Sequence, residues 1–407
     1  MFWSGALLIG LFASFFSLVM DKAQALFDAW VRPHAWLPFV LAPLGFAVIR
    51  WVTLTYAPAA RGAGIPQTIA ARLQHMPQGM ERLLGWRVML VKILMLPLAI
   101  LIGASVGREG PTVQIGAGIM FYCAMLGGMQ RQQGVVLAGA AAGVAAAFNT
   151  PLAGVVFAIE EMARAFEHRN STIVLIAIVV AGATAMSILG NYDYFGYTYA
   201  NFSFGDVGAI LTISLLGGLG GGLFSRCLTH GEPLLRRLGG QFGYRHPLLF
   251  AGLCGLGIAV LGFFSHGMSY GTGYEIGHAL LHQDLVAVWW QAPAKFLATV
   301  LCAVSGIPGG FFAPSLSIGA ALGANLAALF PATTYSGAVL LGMAAYFAGV
   351  TQAPITSFVI VLEITGEATS ALPIMAAAII ATGISRLMNG HSLYHTLAKG
   401  FITEKQA

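Results

Sequence analysis

Charge is what this sequence lacks most. Only 9% of its 407 residues are Asp, Glu, Lys or Arg, against about 25% in ordinary soluble domains. Hydrophobic residues make up 57%, and mean hydropathy is +0.80. This balance excludes a water-soluble globular chain and indicates a polytopic membrane protein. Cysteine is scarce too. Cys123, Cys227, Cys254 and Cys302 stand singly, with no CxxC pair, so neither a disulfide framework nor a cysteine metal site is expected. The 10 histidines form no HExxH, and no metal or cofactor is expected. Motifs of the GxSxG and kinase types are missing, and "GGLGGG" at 217–222 lacks the GK[ST] ending of a phosphate loop. In an apolar setting it reads as close helix packing. The start, "MFWSGALLIGLFASFFSLVM", has no basic n-region and no small-residue cleavage site. It reads as a first membrane segment that is retained.

The few charges are unevenly placed. The net charge of +5 comes from loops, so it speaks to topology rather than to nucleic-acid binding. Basic residues gather in "ARLQHMPQGMERLLGWR" (71–87), "SRCLTHGEPLLRRLGGQFGYRH" (225–246) and the tail "AKGFITEKQA". The positive-inside rule puts all three on the cytoplasmic side. The segment "NYDYFGYTYANFSFGD" (191–206) has many aromatics and no Lys or Arg, and reads as an outer interfacial loop.

Glycine and proline are abundant, at 52 and 17 residues, and they cut many apolar runs below the roughly 20 residues a spanning helix needs. Self-similarity explains the pattern. Pro111 and Pro314 lie 203 positions apart (314 minus 111), and each is followed by Ile-Gly-Ala at the same spacing. Pro151 and Pro354, Glu160 and Glu363, Lys92 and Lys295, and Gly107 and Gly310 keep the same offset of 203. Upstream, "GAGIPQTIAARL" (62–73) roughly matches "GTGYEIGHALL" (271–281). The chain is therefore an internal duplication within one transmembrane domain over 1–407, with halves of about 1–200 and 207–400. Duplicated halves with broken helices point to a transporter whose site lies near the midplane. An inverted arrangement is expected.

Three breaks, "GAGIP", "GREGP" and "GIPGGFFAP", open apolar helices. Each aims free backbone N–H groups and about half a positive charge at its N-terminus. Converging inside a membrane, such ends bind an anion without a bare lysine. Taken singly, each break reads more simply as a kink or packing device. Glu109, inside "GREGP", is a tethered anion that competes for that site when ionised and withdraws when protonated. The alternative for it is a structural pair with Arg108, although adjacent residues on a helix do not face each other. The repeat sorts the other acids. Glu160 and Glu363 occupy equivalent positions and suggest a shared structural job. Glu109 and Glu161 have no acidic counterparts, because residues 312 and 364 are Phe and Ile. These two are the expected proton-handling groups. Lys92 and Lys295, a matched pair, are expected to satisfy carbonyls, and Ser105 to pack as a small residue.

"GAGIP", "GREGP", "GIPGGFFAP", "AAAFNTPLAGVVFAIEEM" and the tyrosine of "SLYHTL" together resemble the CLC chloride channel and transporter family. The resemblance covers nearly the whole chain in order and spacing. It implies an all-α fold of two inverted repeats with broken and re-entrant helices, and one anion pathway per subunit of a homodimer. It further implies that Glu109 is the external gating glutamate, that Glu161 is the internal glutamate of proton-coupled exchangers, and that Tyr394 reaches the central anion with its hydroxyl. The backbone around Ala63, Gly64, Ile65, Arg108, Gly110, Phe311 and Phe312 would line the anion site. Ala63 stands where the family commonly has serine, and Gln67 and Ile69 stand where some relatives carry an acid. The cytoplasmic nucleotide-binding pair of many eukaryotic members is not expected, so a compact protein of a bacterial inner membrane fits.

The sequence favours exchange of chloride or a similar small anion for protons. A passive, voltage- or pH-gated anion channel of the same fold is the runner-up. A third reading, an intramembrane enzyme using Ser105, Glu109 and Glu160, lacks any spaced nucleophile and base. The partners expected are a small inorganic anion, protons, the lipid bilayer and a second copy of the chain, with no nucleic acid.

Overall fold

The computed structural model describes residues 1–74, 76–128, 132–163, 168–190, 194–238 and 245–403. Parts of the three basic clusters and the start of the aromatic segment, at 75, 239–244, 404–407 and 191–193, lie outside the described residues. Among the described residues the chain is all helix, with two isolated β-bridges.

The first half comprises α1 (Phe2–Val31), α2 (Pro38–Tyr56), the short α3 (Ile65–Arg72), α4 (Pro77–Leu84), α5 (Trp86–Leu101), α6 (Glu109–Leu126), α7 (Gln132–Phe148), α8 (Pro151–Phe157) and α9 (His168–Leu189). The second comprises α10 (Val207–Leu238), α11 (Pro247–Phe264), α12 (Tyr274–Leu281), α13 (Gln291–Ser305), α14 (Phe312–Ala327), α15 (Tyr335–Thr351), α16 (Pro354–Thr365) and α17 (Ala371–Met388), followed by α18 (Leu393–Thr403). Among the described residues, 7 helical stretches are long and apolar enough to cross a membrane. The rest are shorter, as the Gly/Pro interruptions require.

The duplication reaches individual backbone angles. Helices α6 and α14 begin 203 positions apart, as do α8 and α16, and α7 and α15 end 203 apart. Asn149 and Gln352, also equivalent, both take positive φ, 60° and 58°, two residues before the prolines that open α8 and α16, with Thr150 and Ala353 between. The residue before proline avoids the helical region, so each chain must turn here before restarting. The central pairs α6–α7 and α14–α15 pack at the closest range. A Cβ on Gly116 or Gly139, or on their equivalents Gly319 and Gly342, would strike the facing helix backbone. Helix α15 is buried along its whole face.

Equivalent residues also meet each other. Gly107 and Gly310 exchange backbone hydrogen bonds, 2.7 and 2.9 Å, in an antiparallel bridge. Antiparallel pairing of repeat-equivalent residues requires a two-fold relation between the halves rather than a translation.

Candidate functional site

The two β-bridges draw the three breaks to one place. Gly62 N–H donates to Ile307 O at 3.0 Å, and Gly309 N–H donates to Gly62 O at 3.1 Å. The Gly107–Gly310 bridge adds the third strand. The N-termini of α3, α6 and α14 are therefore held together, which brings Ala63, Gly64, Ile65, Glu109, Gly110, Phe311 and Phe312 side by side. All seven are buried. Gly64 sits at φ 98°, where a Cβ would strike Gly110 O, so only glycine lets α3 approach α6 this closely.

Glu109 is the first residue of α6 and is fully buried. The backbone amides of Glu109 itself and of Ala313, on α14, face its carboxylate, and Tyr194 Oη donates to Oε1 at 3.3 Å. The carboxylate thus occupies the point at which two helix N-termini aim. Arg108 does not share that point with its side chain. Its guanidinium turns to α1, donating to Ser17 O at 3.1 Å and to Asp21 Oδ1 at 2.5 Å, and lies 5.6 Å from the Tyr194 ring centre.

Tyr394, on α18, stacks on Phe311 with ring centres 5.5 Å apart and lies 5.9 Å from Phe312. Its hydroxyl is buried and has no hydrogen-bond partner among the described residues. Phe312 also touches Phe148, Phe157 and Phe347, so an apolar cage surrounds the helix ends. A buried hydroxyl without a protein partner is costly. Glu161 lies within electrostatic reach of Tyr394, buried in a stretch of π-helix, Ala158–Ala163, and its backbone oxygen is 3.0 Å from His395 Nε2. Such π-turns are frequent at functional sites.

The remaining acids and bases have other partners. Glu160 accepts from Ile355 N and Thr356 N, and Glu363 accepts from Leu152 N and Ala153 N. This is the shared structural job that the repeat suggested. Lys295 donates to the carbonyls of Ser269, Tyr270 and Gly271, whereas Lys92 donates to the side-chain oxygen of Gln114 at 2.5 Å. Ser105 Oγ pairs with Thr299 Oγ1 at 2.9 Å, so Ser105, Glu109 and Glu160 each answer to different neighbours and form no nucleophile–base set. Gln67 caps α3: its Oε1 accepts from Gly64 N at 3.1 Å. At this break one amide is therefore answered from within the chain.

Sequence reading missed Tyr194 and Asp21. Tyr194 sits in the aromatic segment read as an interfacial loop, and Asp21 in the run of the first helix. No spacing links either residue to position 109.

Three helix N-termini converging inside a duplicated, multi-pass chain define a class, membrane proteins built around a buried ion site. The model of the voltage gated chloride channel family matches residues 45–386, and the chain belongs to that family, the CLC proteins. Solved structures are similar to it over nearly its full length. One is a slow cyanobacterial Cl⁻/H⁺ antiporter, at 22% identity and TM-score 0.84, covering 100% of this chain and 98% of that one. Another is a CLC-type fluoride/proton antiporter, at 25% identity and TM-score 0.82, with 97% of each chain covered. A eukaryotic CLC transporter matches at 22% identity and TM-score 0.79, covering 98% of this chain and 73% of that one.

Proposed function

We propose that the chain exchanges a small inorganic anion, chloride or a close relative, for protons. The observation that carries this reading is Glu109: a buried carboxylate lodged where the α6 and α14 N-termini converge. A carboxylate and a mobile anion cannot both occupy that point. Protonation removes the attraction of the helix ends for Glu109 and admits the anion. Ionisation returns it. Glu109 therefore alternates between carrying a proton and blocking the anion, which ties the two fluxes together. The backbone of Ala63, Gly64, Ile65, Arg108, Gly110, Phe311 and Phe312 lines the anion's place, and Tyr394 Oη donates to it. Glu161, buried next to Tyr394 and absent from the second repeat, takes the proton on the inner side. The antiporter structures similar in fold support exchange over passive conduction.

The chain acts as a homodimer in a bacterial inner membrane, with the basic segments inside. The cross-capped ends of α8 and α16 support the second subunit. There Leu152 and Ile355, repeat equivalents, are 65% and 50% exposed beside the partly buried carboxylates of Glu160 and Glu363. Although each carboxylate accepts two backbone amides, a partly exposed charge faces lipid poorly, and a partner subunit covers it.

The test is flux in liposomes, following anion and pH together. An imposed chloride gradient drives protons uphill if the reading holds, and Glu109→Gln abolishes proton movement while some anion flux persists. Chloride flux with no proton movement in the wild-type chain would establish the channel instead.

A further inference from the structure

The segment that joins the two halves does more than connect them. It is strapped down at both ends of its course beside the gate. Phe195 N–H donates to Ile364 O at 2.7 Å, Thr198 N–H donates to Thr365 O at 3.1 Å, and Ala200 N–H donates to Glu367 Oε2 at 3.2 Å. Ser370 Oγ returns a bond to Ala200 O at 2.8 Å, and His282 Nε2 lies 3.0 Å from Phe195 O. The strap fixes Tyr194 in a buried nest of rings. Phe148, Phe195 and Tyr274 surround it, with ring centres 5.3, 5.3 and 5.0 Å away. From this nest its hydroxyl reaches Glu109.

We infer that Tyr194 is a positioning residue for the gate, its hydroxyl holding the ionised Glu109 carboxylate in the anion site against displacement. The inference rests on the reading of Glu109 as the gate. A donor aimed at a carboxylate stabilises its charged, seated form and offers nothing comparable to the protonated form once that has left. The hydroxyl thus weights the competition toward Glu109 and away from the anion. No equivalent hydroxyl arises from the repeat, because the linker occurs once in the chain.

Other charged and titratable groups face this region. Arg108 comes from the N-cap of α6, Asp21 from α1, Tyr274 and Glu275 from α12, and Tyr394 from α18. His278, on α12, and His282, just past its end, pack against the strap at Gly196. From α7 and α14 come the uncharged Phe148 and Phe312 rings. All of these are unchanged in a Tyr194→Phe variant, so their titration cancels in the comparison.

The experiment is calorimetric titration of the purified full chain with chloride, paired with pH profiles of liposome exchange. Tyr194→Phe keeps the ring and its nest. It is expected to tighten chloride binding about threefold to tenfold, the weight of one modest hydrogen bond, and to move the midpoint of the pH profile upward. In a Glu109→Gln background, where no proton exchange remains to profile, the same change is expected to leave chloride binding unaltered. Equal effects in both backgrounds would mark a purely structural role and overturn the inference. So would no effect of Tyr194→Phe in a chain where Glu109→Gln alone alters chloride binding. If Glu109→Gln itself leaves binding and proton flux at wild-type levels, the gate reading fails, and the inference with it.

Discussion

Glu160 and Glu363 hold each other's helices. Glu160 accepts two first-turn amides of α16, which carries Glu363, at 3.1 and 2.6 Å, and Glu363 accepts two first-turn amides of α8, whose π-helical continuation carries Glu160, at 2.9 and 2.6 Å. Helices α8 and α16 open with proline, and their remaining orphan N–H groups are answered across the two-fold rather than locally. Charge-assisted bonds of this kind contribute about 1.5–3 kcal/mol each. Glu160→Ala and Glu363→Ala are expected to lower thermal stability in detergent by similar amounts. A silent substitution at one site beside a damaging one at the other would show that the two caps are not equivalent.

Ala63 lies at the first break with its methyl buried. Ala63→Ser adds a hydroxyl beside the place proposed for the anion and leaves the backbone as it is. A neutral hydrogen bond contributes about 0.5–1.5 kcal/mol, which corresponds to roughly twofold to tenfold tighter chloride binding. Titration of the purified variant checks this, and repeating it with fluoride and nitrate reports whether the hydroxyl sorts anions. Unchanged affinity for all three would place the anion out of reach of residue 63.

Removing the Tyr394 hydroxyl separates binding from folding. It makes no hydrogen bond to the described residues, and the ring keeps its stack on Phe311. Tyr394→Phe is therefore expected to weaken anion binding by a few-fold while leaving the melting temperature unchanged or slightly raised. A clear fall in melting temperature with no change in binding would assign the hydroxyl a structural partner instead.

Glu367 anchors the strap that carries Tyr194. Burial raises its carboxyl, but donors from Thr369, Ala200 and Ser370 outweigh that and hold it below the usual carboxylate range. A group lowered on folding lends stability above its unfolded value and surrenders it as pH falls through the folded one. The wild-type chain is expected to lose stability on acidification below about pH 4.3, the ordinary glutamate value, and Glu367→Gln to flatten that acid limb. Thermal melts across the acid range check it. An identical acid limb in both proteins would remove Glu367 from the cause.

The duplication was legible because a constant offset survives in the Gly and Pro positions that fix helix ends. Pro151 and Pro354 start equivalent helices because proline needs no N–H partner there. The unequal pairs Glu109/Phe312 and Glu161/Ile364 were legible by the same comparison. What the sequence did not disclose is contact between segments without a shared period. Tyr194 reaches Glu109 across a sequence separation of 85, and Arg108 turns to Asp21 across one of 87. Lys92 and Lys295 read as a pair, yet their partners differ, because position 114 is Gln where its equivalent, 317, is Ser. Such choices are made by neighbours in space, and a single sequence does not order them.

Glu109 and Phe312 are each the first residue of their helix, at equivalent places on either side of the Gly107–Gly310 bridge. A perfectly symmetrical passage would treat both faces of the membrane alike and have no sense of direction. Putting an acid at one of two mirrored doorways and a ring at the other gives the passage a front and a back. On the proposed reading, the vectorial character of the molecule resides in its mismatched pairs, Glu109 with Phe312 and Glu161 with Ile364, set against a framework that largely repeats itself.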